Sequence, residues 1–313
     1  MSESQAQSPQ LPPEDGLSND ERAMQTAWRW IGLGLLIVAG LMVGLGISNA
    51  LFPKPKIGIV RLYDVIDYST APYSFGQLDI AAKRGDIRAV VISVDSPGGY
   101  ATVSENLFYT IIELRKHKPV VSSIESLGAS GAYYAASASN FIIARPATDV
   151  GSIGVIASLP ELQPPDEQTL ITGPFKGGAG STMDVVRGTQ AIKQSFLNHV
   201  YEQRLYTLEH AHPESRAALL PPRDSLTTGQ VWSGAEAYNN GLIDGLGSDL
   251  DAIHKAAELA GISNYDVIDL YSVFTRSGEE FYGYSAETAQ AHDEWYQSGP
   301  WVEFYHIYEV PGR

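Results

Sequence analysis

Ser130 lies in SLGASGAYYAAS, residues 126–137, wedged between small residues and followed by two tyrosines and several alanines. A serine in that setting is either a nucleophile or a small residue that lets a helix pack closely. A second short stretch, Ser96-Pro97-Gly98-Gly99, follows a strand-like run. Gly98 and Gly99 permit backbone conformations and close approaches that a side chain would forbid, leaving N–H groups open to a ligand. Ser130 heads a helix-like run of small residues, where the first N–H groups lack partners and the dipole favours negative charge. A carbonyl attacked by Ser130 can therefore set its oxyanion between the N–H of Gly131 and an N–H of the Gly98-Gly99 turn. Each piece taken alone also reads as a tight turn or a close-packed helix.

A serine hydroxyl needs a base. The histidines are His117, His199, His210, His212, His254, His292 and His306, and none falls between Lys118 and Asn198, the interval that carries the candidate site. Most of them sit in helix-like runs or in the C-terminal stretch. Lysine is the alternative. Lys176, in TGPFKGGAG, is set in a Gly-flanked loop after a short apolar run, although its position alone favours a solvated surface lysine. The chain has no cysteine, which excludes disulfides, a thiolate nucleophile and Cys-ligated zinc.

These residues need elements to hold them. IGIVRLYDVI and IRAVVISVD read as strands, with FGQLDIAAKRG as a short helix between them. TVSENLFYTIIELRKH has apolar residues at helical spacing with basic residues near its end. PVVSSIES and FIIARP read as further strands, separated by the helix-like SGAYYAASAS. Strands alternating with helices imply βαβ units and a mostly parallel sheet, in which ligands bind beyond the carboxyl ends of strands. SPGG and GASG both fall at such ends. ELQPPDEQTL reads as a loop, TQAIKQSFLNHVYEQRLYTLEHA as a long amphipathic helix, and DLDAIHKAAELAG as a helix ended by Gly261.

The flanks differ from this core. Residues 1–26 are rich in Ser, Gln, Pro and acids and read as a disordered leader. Residues 27–51 read as a membrane anchor, with an uncharged stretch from Trp30 to Leu51 long enough to cross a hydrocarbon core of about 30 Å. Trp28 and Trp30 sit where an aromatic belt would anchor it. Ser48-Asn49-Ala50 resembles a cleavage site, but an acidic leader is the wrong start for a removable signal peptide. Arg22 and Arg29 before the span nearly balance Lys54, Lys56 and Arg61 after it, so charge leaves its orientation open. Gly40 and Gly44 form a GxxxG pair, for which ordinary membrane-helix glycine is the favoured reading. Residues 261–313 form a C-terminal extension rich in aromatic residues, a contact surface for its own domain, a sister subunit or substrate. A formal net charge of −15 makes duplex nucleic acid an unsuitable partner, since phosphate binding relies on clustered Lys and Arg.

Several ordered stretches together resemble the signal peptide peptidase A members of the S49 serine peptidase family. They are IRAVVISVDSPGG (87–99), KPVVSSIESLGASGAYYAASAS (118–139), DVGSIGVI (149–156), TGPFK (172–176) and GQVWSGAEAYNNGLIDGLG (229–247). The resemblance covers most of residues 56–260. It implies an α/β fold, the ClpP/crotonase-like superhelix of ββα units, with Ser130 as nucleophile and Lys176 as general base. It also implies a homo-oligomeric ring in which neighbouring subunits each contribute half of the dyad, and a catalytic domain outside the cytoplasmic membrane. The ATDVGSIGV region offers no histidine where ClpP-type peptidases have one. GGAGST departs from the family after Lys176, and the aromatic extension has no family counterpart.

The expectation is a single-pass serine endopeptidase that cuts hydrophobic peptides such as remnant signal peptides, using Ser130 and Lys176, with Gly98, Gly99 and Gly131 at the oxyanion hole and no metal or cofactor. One alternative is a Ser/Lys peptidase specific for a stomatin-like membrane-protein partner. Another is an inactive crotonase-fold scaffold that binds acyl thioesters.

Overall fold

The computed structural model describes residues 19–51, 54–159, 181–210 and 215–277. The chain divides into two units, Met1–Pro53 and Lys54–Arg313. In the first, helix α1 (Asn19–Leu51) carries the segment Met24–Gly44, which is long and apolar enough to cross a membrane. From Trp30 to Gly44 its side chains are exposed and apolar on every side, with no polar face.

The second unit begins with β1 (Lys56–Ile66), α2 (Ala71–Lys83), β2 (Ile87–Gly99), α3 (Ala101–Arg115), β3 (Val120–Ala129) and α4 (Gly131–Ser137). It continues with β4 (Phe141–Ala144), β5 (Asp149–Gly151), α5 (Thr182–His210), a 3-10 turn at Arg216–Leu219 and α6 (Arg223–Leu226). The chain then forms β6 (Val231–Ser233), α7 (Gly234–Asn239), β7 (Gly245–Leu246), α8 (Asp249–Ala260), β8 (Asp266–Asp269) and α9 (Leu270–Ser277). The strands make one sheet in the order β6-β5-β3-β2-β1-β8, with β4 pairing both β3 and β7. Every pairing is parallel except β5 with β6. The alternation read from the sequence is therefore an α/β sheet.

Strand periodicity divides the core between the two faces. Val60 and Leu62, with Val90, Ile92 and Val94, join the larger core, which also takes in Ile80 of α2, Phe108 of α3, Tyr133 of α4 and Phe274 of α9. Ile57, Ala89, Val91 and Val121 point the other way and pack on Ala252, Ala256 and Ala257 of α8. Both faces are covered, which is why β2 reads as an almost unbroken apolar run rather than an alternation.

The sequence reading did not anticipate β5, β6, β7 and β8, each four residues or fewer. β8 lies in the C-terminal extension, yet it pairs with β1 from Lys56↔Asp266 to Ile59↔Asp269. Leu270 and Phe274 of α9 are buried, and a side chain at Gly76 would collide with the Phe274 ring at 2.4 Å. The rest of the extension, with most of its aromatic residues, lies outside the described residues. Helix α5 also starts seven residues earlier than its apolar pattern suggested.

A buried ion pair holds α5 to the sheet. Arg204 donates to both carboxylate oxygens of Asp244 at 2.6 and 2.7 Å and to the carbonyl of Gly241 at 3.0 Å. Asp244 also accepts from the Ile142 N–H and the Ser215 hydroxyl, each at 2.9 Å. A buried pair is tolerable only when its remaining hydrogen-bonding capacity is met, as it is here.

Candidate active site

The carboxyl ends of β1, β2, β3 and β5 meet, and the register brings SPGG and GASG together. Ser96 pairs with Gly128 across β2 and β3, after an irregularity that follows Val94. On the other side, Tyr63 pairs with Asp95 and Val65 with Gly98, so Ser96 and Pro97 stand opposite the single residue Asp64. This bulge accommodates Pro97, which has no N–H to give to a ladder. Asp64 takes a positive φ of 62°, and its carbonyl accepts the Ser96 hydroxyl. The Gly98 N–H donates to Ser96 Oγ at 3.1 Å.

Ser130 occupies the sharp turn from β3 into α4. Its φ of 53° and ψ of −125° are sparsely populated for a residue with a Cβ, and its side chain caps no helix N–H. Two backbone bonds hold it there: its N–H donates to the Gly151 carbonyl at 2.8 Å, and its carbonyl accepts from the Tyr134 N–H at 2.9 Å. Asp64, Ser130 and Ser152 are the non-glycine residues with positive φ among those described. All three lie at this end of the sheet, because Gly151 pairs with Ala129 and Asp64 stands against the SPGG bulge. Strain of about 1–3 kcal/mol at each such residue persists only where the surroundings over-determine it, and it clusters at functional sites.

The two turns are in close contact. Gly98, at φ 89°, faces Gly131 so closely that a Cβ there would lie 2.5 Å from the Gly131 nitrogen and 2.9 Å from Ser130 Cβ. A Cβ on Gly99 would strike the Ile66 carbonyl oxygen at 2.1 Å. A Cβ on Gly131 would strike Ser104 Oγ at 2.1 Å and approach the Gly99 nitrogen at 3.3 Å. The structure thus gathers Ser130, Gly131, Gly98 and Gly99. The Gly98 N–H is bonded to Ser96 Oγ, whereas Gly99 is exposed.

Lys176 lies outside the described residues. Among the described residues no histidine bonds to Ser130. His199 is held between Tyr134 and Tyr109, with its ring stacked on Phe108, and His117 lies beside Glu113. Nearby, Tyr63 and Ser93 both donate to Glu125 Oε1, and burial, followed by the Glu125 charge, raises the Asp95 carboxyl above its ordinary range. Sequence reasoning missed this network because its members come from three strands and share no local pattern. It missed Ser104 for a different reason, since a serine in an amphipathic helix looks like any other polar position.

The family model for peptidase family S49 matches residues 112–263. A putative protease of Methanocaldococcus jannaschii is 30% identical over 259 residues, covering 76% of this chain and 81% of that protein. The chain belongs to peptidase family S49. Protease 4 of Haemophilus influenzae is 31% identical over 196 residues, or 60% of this S49 chain, which spans only 31% of that longer protein. Among solved structures, a mutant of a membrane-bound stomatin-specific protease in complex with a substrate peptide aligns with 70% of this chain and 93% of its own. Its sequence identity is 18% and its TM-score 0.47. The S49 chain is thus an α/β member of a protease family, with one apolar helix near its N-terminus.

Proposed function

We propose that the protein is a membrane-anchored serine endopeptidase that cleaves hydrophobic peptides, remnant signal peptides among them, with Ser130 as nucleophile and Lys176 as general base. The observation that carries this reading is the strained turn at Ser130 with the Gly98-Gly99 turn packed against the residue that follows it. Ser130 Oγ adds to the scissile carbonyl carbon while its proton passes to the Lys176 amine. The carbonyl oxygen becomes an oxyanion beside the N–H groups of Gly131 and Gly99. Collapse expels the peptide amine, which takes the proton back from the lysine ammonium, and leaves an acyl ester on Ser130. Water, deprotonated by the same lysine, then releases the acid and restores the serine.

A lysine with an ordinary pKa of 10.4 is neutral only about 0.04% of the time at pH 7, so the site has to lower that value by burial. Subunit assembly supplies such burial if neighbours in a ring each give half of the dyad. In this reading α1, which is long and apolar enough to cross a membrane, anchors the protein in the cytoplasmic membrane, and the peptidase unit works outside it, as the family resemblance implies.

The test is reaction of the full chain with a fluorophosphonate, which esterifies activated serines, followed by peptide mapping. Label on Ser130, lost in Ser130→Ala and in Lys176→Ala, is the expected result. Label elsewhere, or peptide hydrolysis surviving in Ser130→Ala, rejects the assignment. Ser130→Ala and Lys176→Ala chains refolded together regain activity if the dyad is shared. Mixed rings as inactive as either parent return it to one subunit.

A further inference from the structure

Ser104 is 0% exposed in the first turns of α3, and its hydroxyl has no hydrogen-bond partner among the described residues. Few buried side-chain groups are left in that state, since an unmet hydroxyl is costlier than an alanine in its place. This one lies directly behind the candidate site. Ser104 Oγ is 2.1 Å from the point that a Cβ of Gly131 would occupy, and the Gly99 nitrogen is 3.3 Å from the same point. The hydroxyl therefore fills the space left by the missing side chain of Gly131 and flanks both peptide units that face Ser130. Its own backbone is fixed, because the Ser104 N–H donates to the Tyr100 carbonyl at 3.0 Å, one residue past the SPGG turn.

We propose that Ser104 is a positioning residue for acyl transfer at Ser130, an inference that rests on the reading of Ser130 as the nucleophile. Its hydroxyl is unpaired in the resting chain and donates to a carbonyl of these two peptide units when their N–H groups hold a charged carbonyl oxygen. A bond made only in that state lowers the barrier without tightening substrate binding. Ser104 is buried behind Gly131, so it acts through the Gly99 and Gly131 peptides and does not touch substrate. A serine present only for packing would give a different pattern, because alanine fits the same space without an unmet polar atom.

The experiment compares full-length native and Ser104→Ala protein in detergent for thermal midpoint, peptide hydrolysis and the rate of fluorophosphonate labelling at Ser130. Loss of one hydrogen bond specific to the reacting state is expected to lower kcat and the labelling rate about tenfold, with KM within twofold. The midpoint should stay at or above the native value, because the substitution removes an unmet hydroxyl. Ser104→Cys, which keeps a weaker donor, should fall between the two. Native labelling at Ser130 with an unchanged rate in Ser104→Ala overturns the inference alone, as does a midpoint that drops in step with kcat. Native protein that takes no label at Ser130 overturns the acyl-transfer reading, and this inference with it.

Discussion

Gly98 and Gly131 belong to different turns, yet a Cβ on Gly98 would lie 2.5 Å from the Gly131 backbone nitrogen. That nitrogen begins α4, directly after Ser130. Contact between the two glycines couples the SPGG bulge to the nucleophile turn, so a change in one turn is felt in the other.

Gly98→Ala should therefore be far more harmful than an ordinary surface substitution. The new methyl meets backbone rather than a movable side chain, and the residue sits at φ 89°, where an L side chain is strained. A loss of at least a hundredfold in peptide hydrolysis is expected, with a stability cost of about 1–3 kcal/mol. Parallel fluorogenic assays and urea melts will show it. Near-native activity would mean that the two turns are not part of one site.

Ser130→Gly should separate stability from activity. Glycine accepts φ 53° without the Cβ penalty, so relief of strain is expected to stabilise the fold by about 1 kcal/mol while hydrolysis disappears. Differential scanning calorimetry alongside the peptide assay reads both. A lower midpoint would show that the Ser130 side chain contributes packing worth more than its strain.

Asp86 offers a pH-dependent test of the fold away from the site. Its carboxylate takes two hydrogen bonds from Arg84, at 2.7 and 3.0 Å, and one from Lys56 at 2.9 Å. The Arg84 bonds, and then Lys56, hold its pKa well below the usual carboxylate range despite partial burial. A depressed folded-state pKa contributes stability above the unfolded value of about 3.9, and that contribution is lost as pH falls through the folded value. Asp86→Asn should thus cost about 1–3 kcal/mol at pH 7 and progressively less below pH 4. Urea midpoints of both proteins across that range should converge. A constant gap would assign the effect to something other than charge.

Arg204→Met should destabilise the protein by about 3–5 kcal/mol, because it leaves the fully buried Asp244 carboxylate without its guanidinium. The double variant Arg204→Met with Asp244→Leu should recover part of that loss. Denaturant melts of the three variants give the comparison. A single variant as stable as native would show that water or rearrangement replaces the pair.

Much of this architecture was legible in the sequence because its main strands and helices are long enough to carry a period. Ten to thirteen residues in β2 and β3 announce themselves as apolar runs, α3 and α8 show helical spacing, and Gly261 ends α8 at φ 65° as its position suggested. The positions of SPGG and GASG at strand ends followed from those runs. Strands of two to four residues, such as β7 and β8, have no room for a period, and only pairing with Ile143 or Lys56 defines them. Register was likewise beyond local reading. The pairing of Ser96 with Gly128 and the bulge at Asp64 decide that the two turns touch, and both depend on residues some 30 positions apart. Ser104 shows the same limit, because helical spacing identifies α3 but cannot say that one hydroxyl of it would be sealed behind Gly131. Local sequence determined the elements and the residue types at their ends. Tertiary packing decided which ends meet, because contacts between distant residues are set by the sheet as a whole.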